Sequence, residues 1–292
     1  MKKSKSHLST NLFSIIQGLL LTTFLFFLLP QVISAEELPD YLQDRGRGIP
    51  TSMFGTYIEK GDLLFYPFYE FYYDTNAEYS PDEFGYDEKK DYAGKSVGHE
   101  ALIYLGYGIT EWLSIEMEAA IIKDRFEKAD NDTSNMPDKI EESGLGDVEG
   151  QVRWRWFEEK DIRPEFFSFV EVVTPTQKDD NVLIGTSDWE IKVGAGIIKG
   201  FGFGTLLLRA SYEYTMEDDA FEPGEYAFSY LKRINDTFRI FLGVEGNMDE
   251  VSAIPELQVF LTPDVYLKLN GGFGLTSKAT DFAPEVGLMM RF

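Results

Sequence analysis

The feature that most constrains this chain is a two-residue alternation of apolar and polar side chains that recurs from Asp62 to the C-terminus. In a β-strand, successive side chains point to opposite faces, so each alternating segment predicts a strand with one apolar face and one polar face. Twelve segments of ten to thirteen residues can be delimited, and most of them alternate. They are residues 62–73, 98–107, 111–122, 147–157, 163–174, 188–199, 202–214, 222–232, 237–247, 251–262, 264–274 and 282–292.

The connections between these segments alternate in length. Short turns lie at 109–110, 158–162, 200–201, 234–236 and 263, and they interleave with longer polar links at 74–97, 123–146, 175–187, 215–221, 248–250 and 275–281. Outer-membrane barrels have short turns at one rim and longer loops at the other. Residues 62–292 are therefore predicted to form an all-β, antiparallel, up-and-down transmembrane β-barrel of about 12 strands. The alternative, a soluble β-sandwich, does not explain the strict alternation of connections.

The N-terminus predicts export. Three lysines precede an apolar run over residues 12–29, and Pro30 and the small residue Ala35 follow it. This order is typical of a secretory signal peptide covering residues 1–35. The alternative is a transmembrane anchor, since the run is close to the roughly 20 residues that span a bilayer. No later apolar stretch approaches that length.

Residues 36–61 form a polar segment that contains Pro39 and Pro50 and has little alternation before Ser52. We expect this segment to lie in the periplasm or to insert into the barrel lumen and restrict it. Two alternatives are a flexible tail and a thirteenth strand that uses Phe54 and Tyr57.

Charge and cysteine content exclude several classes of function. The sequence has 27 basic and 50 acidic residues, and loss of three lysines with residues 1–35 leaves 24 basic residues and a net charge of −26. Such an excess of negative charge argues against a nucleic-acid partner. The absence of cysteine excludes a lipoprotein anchor, disulfides and thiolate metal sites.

Strand parity sends a mixed set of charged side chains, eight acidic and six basic, into the lumen. They are Glu116, Glu118, Asp147, Glu149, Arg153, Arg155, Glu190, Lys192, Arg239, Glu245, Glu256, Lys268, Glu285 and Arg291. Buried charges must pair or be hydrated. This set, with the acidic excess of the loops, predicts a narrow channel or transporter for passive passage of a small solute, with a preference for cations. The alternative is a structural or receptor barrel whose lumen is occluded.

Enzymatic and metal sites are poorly supported, and no cofactor is expected. His99 is the one histidine beyond residue 35, and it alternates with the apolar positions of its strand. In a lipid-modifying barrel enzyme, His99 would have to lie beside a nucleophile. We interpret His99 instead as a side chain at the membrane interface, and we expect that the protein is not an enzyme. Asp130, Asp132 and Glu141 follow a calcium-loop spacing imperfectly, because Asn135 replaces the loop glycine and Pro137 interrupts it.

The C-terminal strand resembles the assembly signal of outer-membrane proteins, with a polar residue, a glycine and two terminal apolar residues at Glu285, Gly287, Met290 and Phe292. A final strand of this kind pairs with the barrel-assembly machinery through its edge. We expect the other partners to be outer-membrane lipid and lipopolysaccharide, and the barrel to be monomeric in the outer membrane of a Gram-negative-type bacterium.

Three short stretches, residues 144–149, 173–176 and 185–188, resemble the outer-membrane barrel family named after the meta-pathway of phenol degradation. The similarity covers roughly residues 98–292, and it departs from the usual pattern at Thr176-Gln177, where a glycine commonly follows the Pro-Thr pair. The resemblance implies an outer-membrane barrel assigned to transport. It carries over no catalytic or binding residue.

Overall fold

The computed structural model describes residues 38–176, 183–185, 189–216 and 220–292. A closed antiparallel barrel accounts for most of them, and its twelve strands follow one another in chain order. The strands are β3 (Leu63–Tyr79), β4 (Tyr92–Thr110), β5 (Leu113–Glu127), β6 (Lys139–Phe157), β7 (Glu165–Thr174), β8 (Glu190–Phe201), β9 (Gly204–Thr215), β10 (Ala220–Arg233), β11 (Phe238–Asn247), β12 (Glu250–Thr262), β13 (Val265–Gly274) and β14 (Phe282–Arg291). The prediction of a twelve-stranded up-and-down barrel is confirmed. The predicted signal peptide lies outside the described residues.

The barrel closes where its last strand meets its first. β14 pairs with β3 in the register Glu285↔Glu70 and Arg291↔Leu64. Beyond this ladder, the backbone N–H groups of Leu63 and Phe292 each donate to the other residue's carbonyl oxygen at 2.9 Å. Closure leaves no free sheet edge, which is the condition for a β-sheet to cross a hydrocarbon layer. In the described part of the chain, no helix is long and apolar enough to span a membrane.

Burial alternates along the strands and separates two faces. In β5, Ser114 and Glu116 are buried, whereas Ile115 and Met117 are exposed. An exposed apolar outer surface continues around the barrel, and its polar counterpart faces inward. This inversion of the soluble-protein pattern is what a lipid-facing barrel requires.

Aromatic side chains collect on the outer surface near both rims. At the rim that carries the short connections, which we call the turn end, the exposed aromatics include Tyr107, Trp112, Trp154, Trp156, Phe157, Phe201, Phe203, Phe238 and Phe292. At the opposite rim, the loop end, they include Trp189, Tyr212, Phe221, Tyr226, Phe273 and Phe282. Two such girdles mark the interfaces of a membrane.

The strands β3 to β6 reach farther at the loop end than the alternation predicts. The expected links 74–97 and 123–146 shrink to residues 80–91 and 128–138. Register shifts between Asp74 and Ala77 in β3, and between Val148 and Leu145 in β6, interrupt the two-residue period, so the apolar–polar alternation ends although strand pairing continues. The extensions are held by a small cluster in which Tyr79, Tyr92, Phe126 and Met136 are buried. Four strands therefore rise above the others as one folded projection.

Residues 38–61, which we call the N-terminal segment, are not part of the barrel wall. A short 3₁₀ helix (Asp40–Leu42) is followed by the two-residue strands β1 (Ile49–Pro50) and β2 (Tyr57–Ile58), which pair only with each other. Phe54 and Tyr57 thus add no thirteenth strand, and that alternative is wrong. Gly55, at the tip of this hairpin, has a φ of 58° that favours glycine.

Candidate permeation pathway

The N-terminal segment is tied to the inward face of the barrel by an ion-pair cluster near the turn end. Arg45 Nη2 lies 2.8 Å from a carboxylate oxygen of Glu165 on β7 and 3.2 Å from one of Glu159 in the β6–β7 turn. All three side chains are 0–1% exposed. The guanidinium also lies over the ring of Tyr57, 5.0 Å from its centroid. Arg45 is the base that these two buried carboxylates share, so the ion pairs tie the segment to the barrel wall.

A second tie lies at the start of the hairpin. The backbone N–H and the hydroxyl of Ser52 donate to Glu116 Oε2 at 2.8 and 2.7 Å. The other oxygen of Glu116 pairs with Arg153 Nε at 3.2 Å, and both of these charged side chains are almost fully buried. Arg155 reaches the segment from the same strand by donating to the carbonyl oxygen of Gly48 at 2.9 Å.

The tip of the hairpin contacts the opposite wall. The carbonyl oxygen of Phe54 accepts hydrogen bonds from Lys268 Nζ at 2.9 Å and Gln258 Nε2 at 3.2 Å. The Phe54 ring stacks on Phe241 with centroids 5.4 Å apart. Lys268 also pairs with Glu256 at 3.3 Å. The hairpin therefore bridges walls that lie across the lumen from each other.

Two wall glycines give the segment room. A Cβ at Gly200 would approach the backbone of Tyr41 well inside 3.0 Å, and a Cβ at Gly108 would do the same to the backbone of Glu59. Real Cβ atoms essentially never come that close. Because the obstacle is backbone in both places, rotating a side chain would not relieve it. These positions accept only glycine while the segment is docked.

Two cavities border the segment. One of about 30 Å³ lies among Met53, Phe54, Arg153 and Glu245, which is room for about one or two waters. The other, of about 400 Å³, lies at the turn end between the segment and the wall and is lined by Arg45, Arg47, Arg155, Glu111, Glu158, Glu159 and Glu165, among others. The lumen is thus tightly occupied around the hairpin and widens into a polar chamber at the turn end.

Toward the loop end the inward face is strongly acidic. Cross-strand neighbours Glu285, Glu70 and Glu100 form one row on β14, β3 and β4, and Glu118 faces Glu149 across β5 and β6. Carboxylates side by side repel one another unless cations or water lie between them. We call this part of the inward face the acidic vestibule. Its other carboxylates are Glu171, Glu190, Glu213, Glu225 and Glu245.

Two bases are built into the opposite side of the acidic vestibule. Lys192 lies 3.4 Å from Glu171 and 3.8 Å from Glu225. Arg209 lies 3.2 Å from both Glu225 and Glu245. Each base is shared by two acids, so the vestibule keeps an excess of negative charge even after this pairing.

The inward-facing charges expected from parity are therefore sorted by depth. Arg153, Arg155, Arg239 and Lys268 are buried in the turn half, where Arg239 stacks over Phe260 at 4.8 Å. Glu118, Glu149, Glu190, Lys192, Glu245 and Glu285 are toward the loop end. Asp147 instead accepts a hydrogen bond from the Thr176 backbone at 3.0 Å, and Arg291 pairs with Asp264 at 2.9 Å near the turn end. That these inward-facing charged residues line a channel stays a prediction.

The sequence pattern does not identify Arg45, Glu159 and Glu165 as partners in the lumen. Segment 163–174 alternates poorly, so its inward phase was uncertain, and Glu159 belongs to a turn rather than a strand. The available signal was Arg45 itself, since a base in a segment expected to enter the lumen needs an acidic partner there.

The structure does not assemble the weaker candidates into sites. His99 is exposed on the outer surface, where its Nδ1 lies 2.6 Å from the Tyr69 hydroxyl. Glu141 lies 3.8 Å from Arg125. Burial alone would raise the pKa of Asp132, but hydrogen bonds from Ser134 and Tyr79 hold that pKa below its usual value. No group of three or more potential metal ligands occurs among the described residues.

Comparisons with known proteins agree with this architecture. The sequence matches no protein-family model, and it matches none of the curated protein sequences. Its structure is similar to an outer-membrane channel from Pseudomonas putida F1, with 15% identity, 84% of this chain and 99% of that chain covered, and a TM-score of 0.61. The translocator domain of the autotransporter NalP from Neisseria meningitidis aligns with 9% identity over 80% of this chain and 89% of that chain, with a TM-score of 0.44. The chain has the fold of an outer-membrane β-barrel.

Proposed function

We propose that this protein is an outer-membrane channel for small solutes, that it prefers cations, and that its N-terminal segment restricts its lumen. The observation that carries the proposal is that a segment from outside the barrel wall, the N-terminal segment, occupies part of the lumen. Wall side chains are enough to fill the interior of an eight-stranded barrel, but a twelve-stranded barrel is wider. Here the turn half is occupied by a separate segment, which enters from the turn end and for which two wall glycines leave room.

The preference for cations rests on the acidic vestibule. Its carboxylates outnumber Lys192 and Arg209, and the loops that surround it add to the negative field. In a low-dielectric wall, charges of one sign raise the local concentration of counter-ions and repel co-ions. Screening reduces this effect over a Debye length of about 10 Å at 0.1 M salt. Selectivity should therefore be strongest at low ionic strength.

The location follows from the fold and its two aromatic girdles. Short connections face the periplasm in outer-membrane barrels, so the loop end lies outside the cell and the N-terminal segment enters from the periplasm. The residues of the expected assembly signal occupy the closing strand. Glu285 and Gly287 point inward, and Met290 is buried between its register partners Phe65 and Val265. Membership of the family named after the meta-pathway of phenol degradation is part of the same proposal and is supported by the sequence motifs.

The rival functions have less support. A permanently occluded structural barrel does not explain why like charges are gathered in the vestibule at a cost in stability. A lipid-modifying enzyme would need a nucleophile beside His99, and the hydrogen-bond partner of this imidazole is Tyr69. We therefore place the chain among channels rather than enzymes.

The test is the reversal potential of the purified, folded protein in a planar bilayer with a KCl gradient. A cation-preferring channel makes the dilute side positive. Glu118→Gln with Glu149→Gln should move the reversal potential toward zero, because these facing acids are not in the ion pairs of the turn half. A matched control replaces two acids of the short turns, Asp161→Asn with Asp236→Asn, and should leave the potential unchanged. Anion preference in the unmodified protein would contradict the proposal.

A further inference from the structure

The outer surface carries a row of hydrogen-bonding side chains across four neighbouring strands near the loop end. The Tyr69 hydroxyl of β3 bonds to His99 Nδ1 of β4 at 2.6 Å. His99 is the direct cross-strand neighbour of Lys123 on β5, and Lys123 is the neighbour of Ser143 on β6. Tyr69, His99, Lys123 and Ser143 are all exposed. We call these four residues the polar row.

The positive charge of the polar row is not cancelled by the protein. Within the described residues, Lys123 forms no ion pair, although the chain carries 50 acidic residues against 27 basic ones. Arg125, the next outward base on β5, is by contrast paired with Glu127 and Glu141. Lys95 lies farther toward the loop end, where its Nζ is over the Tyr73 ring, 5.2 Å from the centroid. An unneutralised amine on the outer wall of so acidic a protein indicates an anionic partner.

The depth of the polar row in the membrane identifies that partner more closely. Immediately toward the turn end, the same strands expose Ile103, Ile121 and Leu145, of which Ile121 is 66% exposed. On the loop side of the row lie Tyr73 and Lys95, a combination typical of the membrane interface. Elsewhere the loop-end girdle consists of aromatics such as Trp189 and Tyr212. The polar row therefore lies where hydrocarbon gives way to headgroups.

We infer that the polar row binds a phosphorylated headgroup of an outer-leaflet lipid, with the acyl chains lying along Ile103, Ile121 and Leu145. Lys123 supplies the positive charge, and His99, Tyr69 and Ser143 supply hydrogen bonds to phosphate oxygens. A lysine at this depth favours an anionic headgroup electrostatically as well. The inference rests on the proposed outer-membrane location and orientation, but it does not depend on whether the barrel conducts.

The experiment is a lipid titration of the full, folded protein in detergent, followed by native mass spectrometry. The probes are lipid A with two phosphates, the same glycolipid with its phosphates removed, and inorganic phosphate alone. The test variant combines His99→Gln with Lys123→Gln. Lys160→Gln is the matched control, because Lys160 is an exposed lysine of the β6–β7 turn at the opposite rim. Circular dichroism of each variant verifies that the barrel has folded.

The unmodified protein and the Lys160→Gln control should retain phosphorylated lipid A equally. The double variant should bind it about tenfold more weakly, which corresponds to about 1.4 kcal/mol. Removing the phosphates from lipid A should weaken its binding to the unmodified protein at least as much as the double substitution weakens binding of intact lipid A. Equal binding of lipid A by the double variant and the control would overturn the inference. Inorganic phosphate that binds as tightly as lipid A would overturn it too, in favour of a soluble anion. Neither result would affect the proposal of a channel, which conductance tests separately.

Discussion

Replacing Gly200 by alanine should release the N-terminal segment. The added methyl group would meet the backbone of Tyr41, in the first turn of that segment, well inside the distance that a Cβ tolerates. Overpacking of a well-packed site costs about 1–3 kcal/mol. If the segment relieves the overlap by leaving the lumen, the ratio of docked to undocked protein falls by about 5- to 150-fold.

Two assays measure that shift. The mean conductance of Gly200→Ala in a planar bilayer should exceed that of the unmodified protein, and a protease added at the periplasmic side should cleave the N-terminal segment faster. Gly150→Ala is the matched control, since Gly150 lies in β6 and nothing lies within 4 Å of a Cβ placed there. If both variants are folded, conduct alike and are cleaved at the same rate, the contact between Gly200 and Tyr41 does not control docking of the segment.

Three further predictions concern docking, assembly and topology. Arg45→Gln leaves the buried Glu165 only its longer pair with Arg155 at 3.6 Å, so docking of the segment should weaken by about 2 kcal/mol and its cleavage should accelerate; an unchanged cleavage rate would contradict this. Deleting Phe292 should reduce the level of folded protein in outer-membrane fractions, and normal levels in those fractions would show that the terminal strand is not the assembly signal. A cysteine at Asp87, an exposed position in the loop 80–91, should react with an impermeant thiol reagent on intact cells, whereas one at Asn235 should not; reversed labelling would mean that the barrel is inverted.

The barrel itself was predictable because lipid imposes a rule on every residue of the outer surface. Ile115 and Met117 face lipid and must be apolar, whereas Ser114 and Glu116 face the lumen and can be polar. The alternation in β5 is therefore visible without knowledge of the neighbouring strands. Strand β7 alternates less clearly, because Phe167 and Phe169 face inward and pack beside Ile198 in the lumen. The two-residue pattern is reliable only where the lumen is polar.

The extensions of β3 to β6 could not be predicted from alternation. Above the membrane both faces of a strand meet water or loops, so no apolar period is required there. Opposite Ala119 and Ile121, the partner strand β6 advances from Val148 to Leu145 and so contains one extra residue, which moves its inward set out of phase with the residues below it. What marks these extensions is the buried cluster around Tyr79 and Phe126, which depends on contacts between residues distant in sequence.

The position of the N-terminal segment was open to prediction only in outline. Its polarity and prolines indicated that it was no strand of the wall. Its contacts, such as Arg45 with Glu159 and Ser52 with Glu116, join residues more than sixty positions apart and leave no local pattern. Glycines 108 and 200 were visible in the sequence, but glycine in a strand has several explanations, including curvature and bulges.

The restriction of the lumen is tested most directly by comparing two proteins in the same bilayer, one that begins at residue 36 and a variant that begins at residue 59. We expect the truncated barrel to have the larger conductance and both proteins to prefer cations at low salt, because the acidic vestibule is unchanged. Equal conductance of the two proteins, or no conductance from the truncated barrel, would contradict the claim that the N-terminal segment restricts a channel.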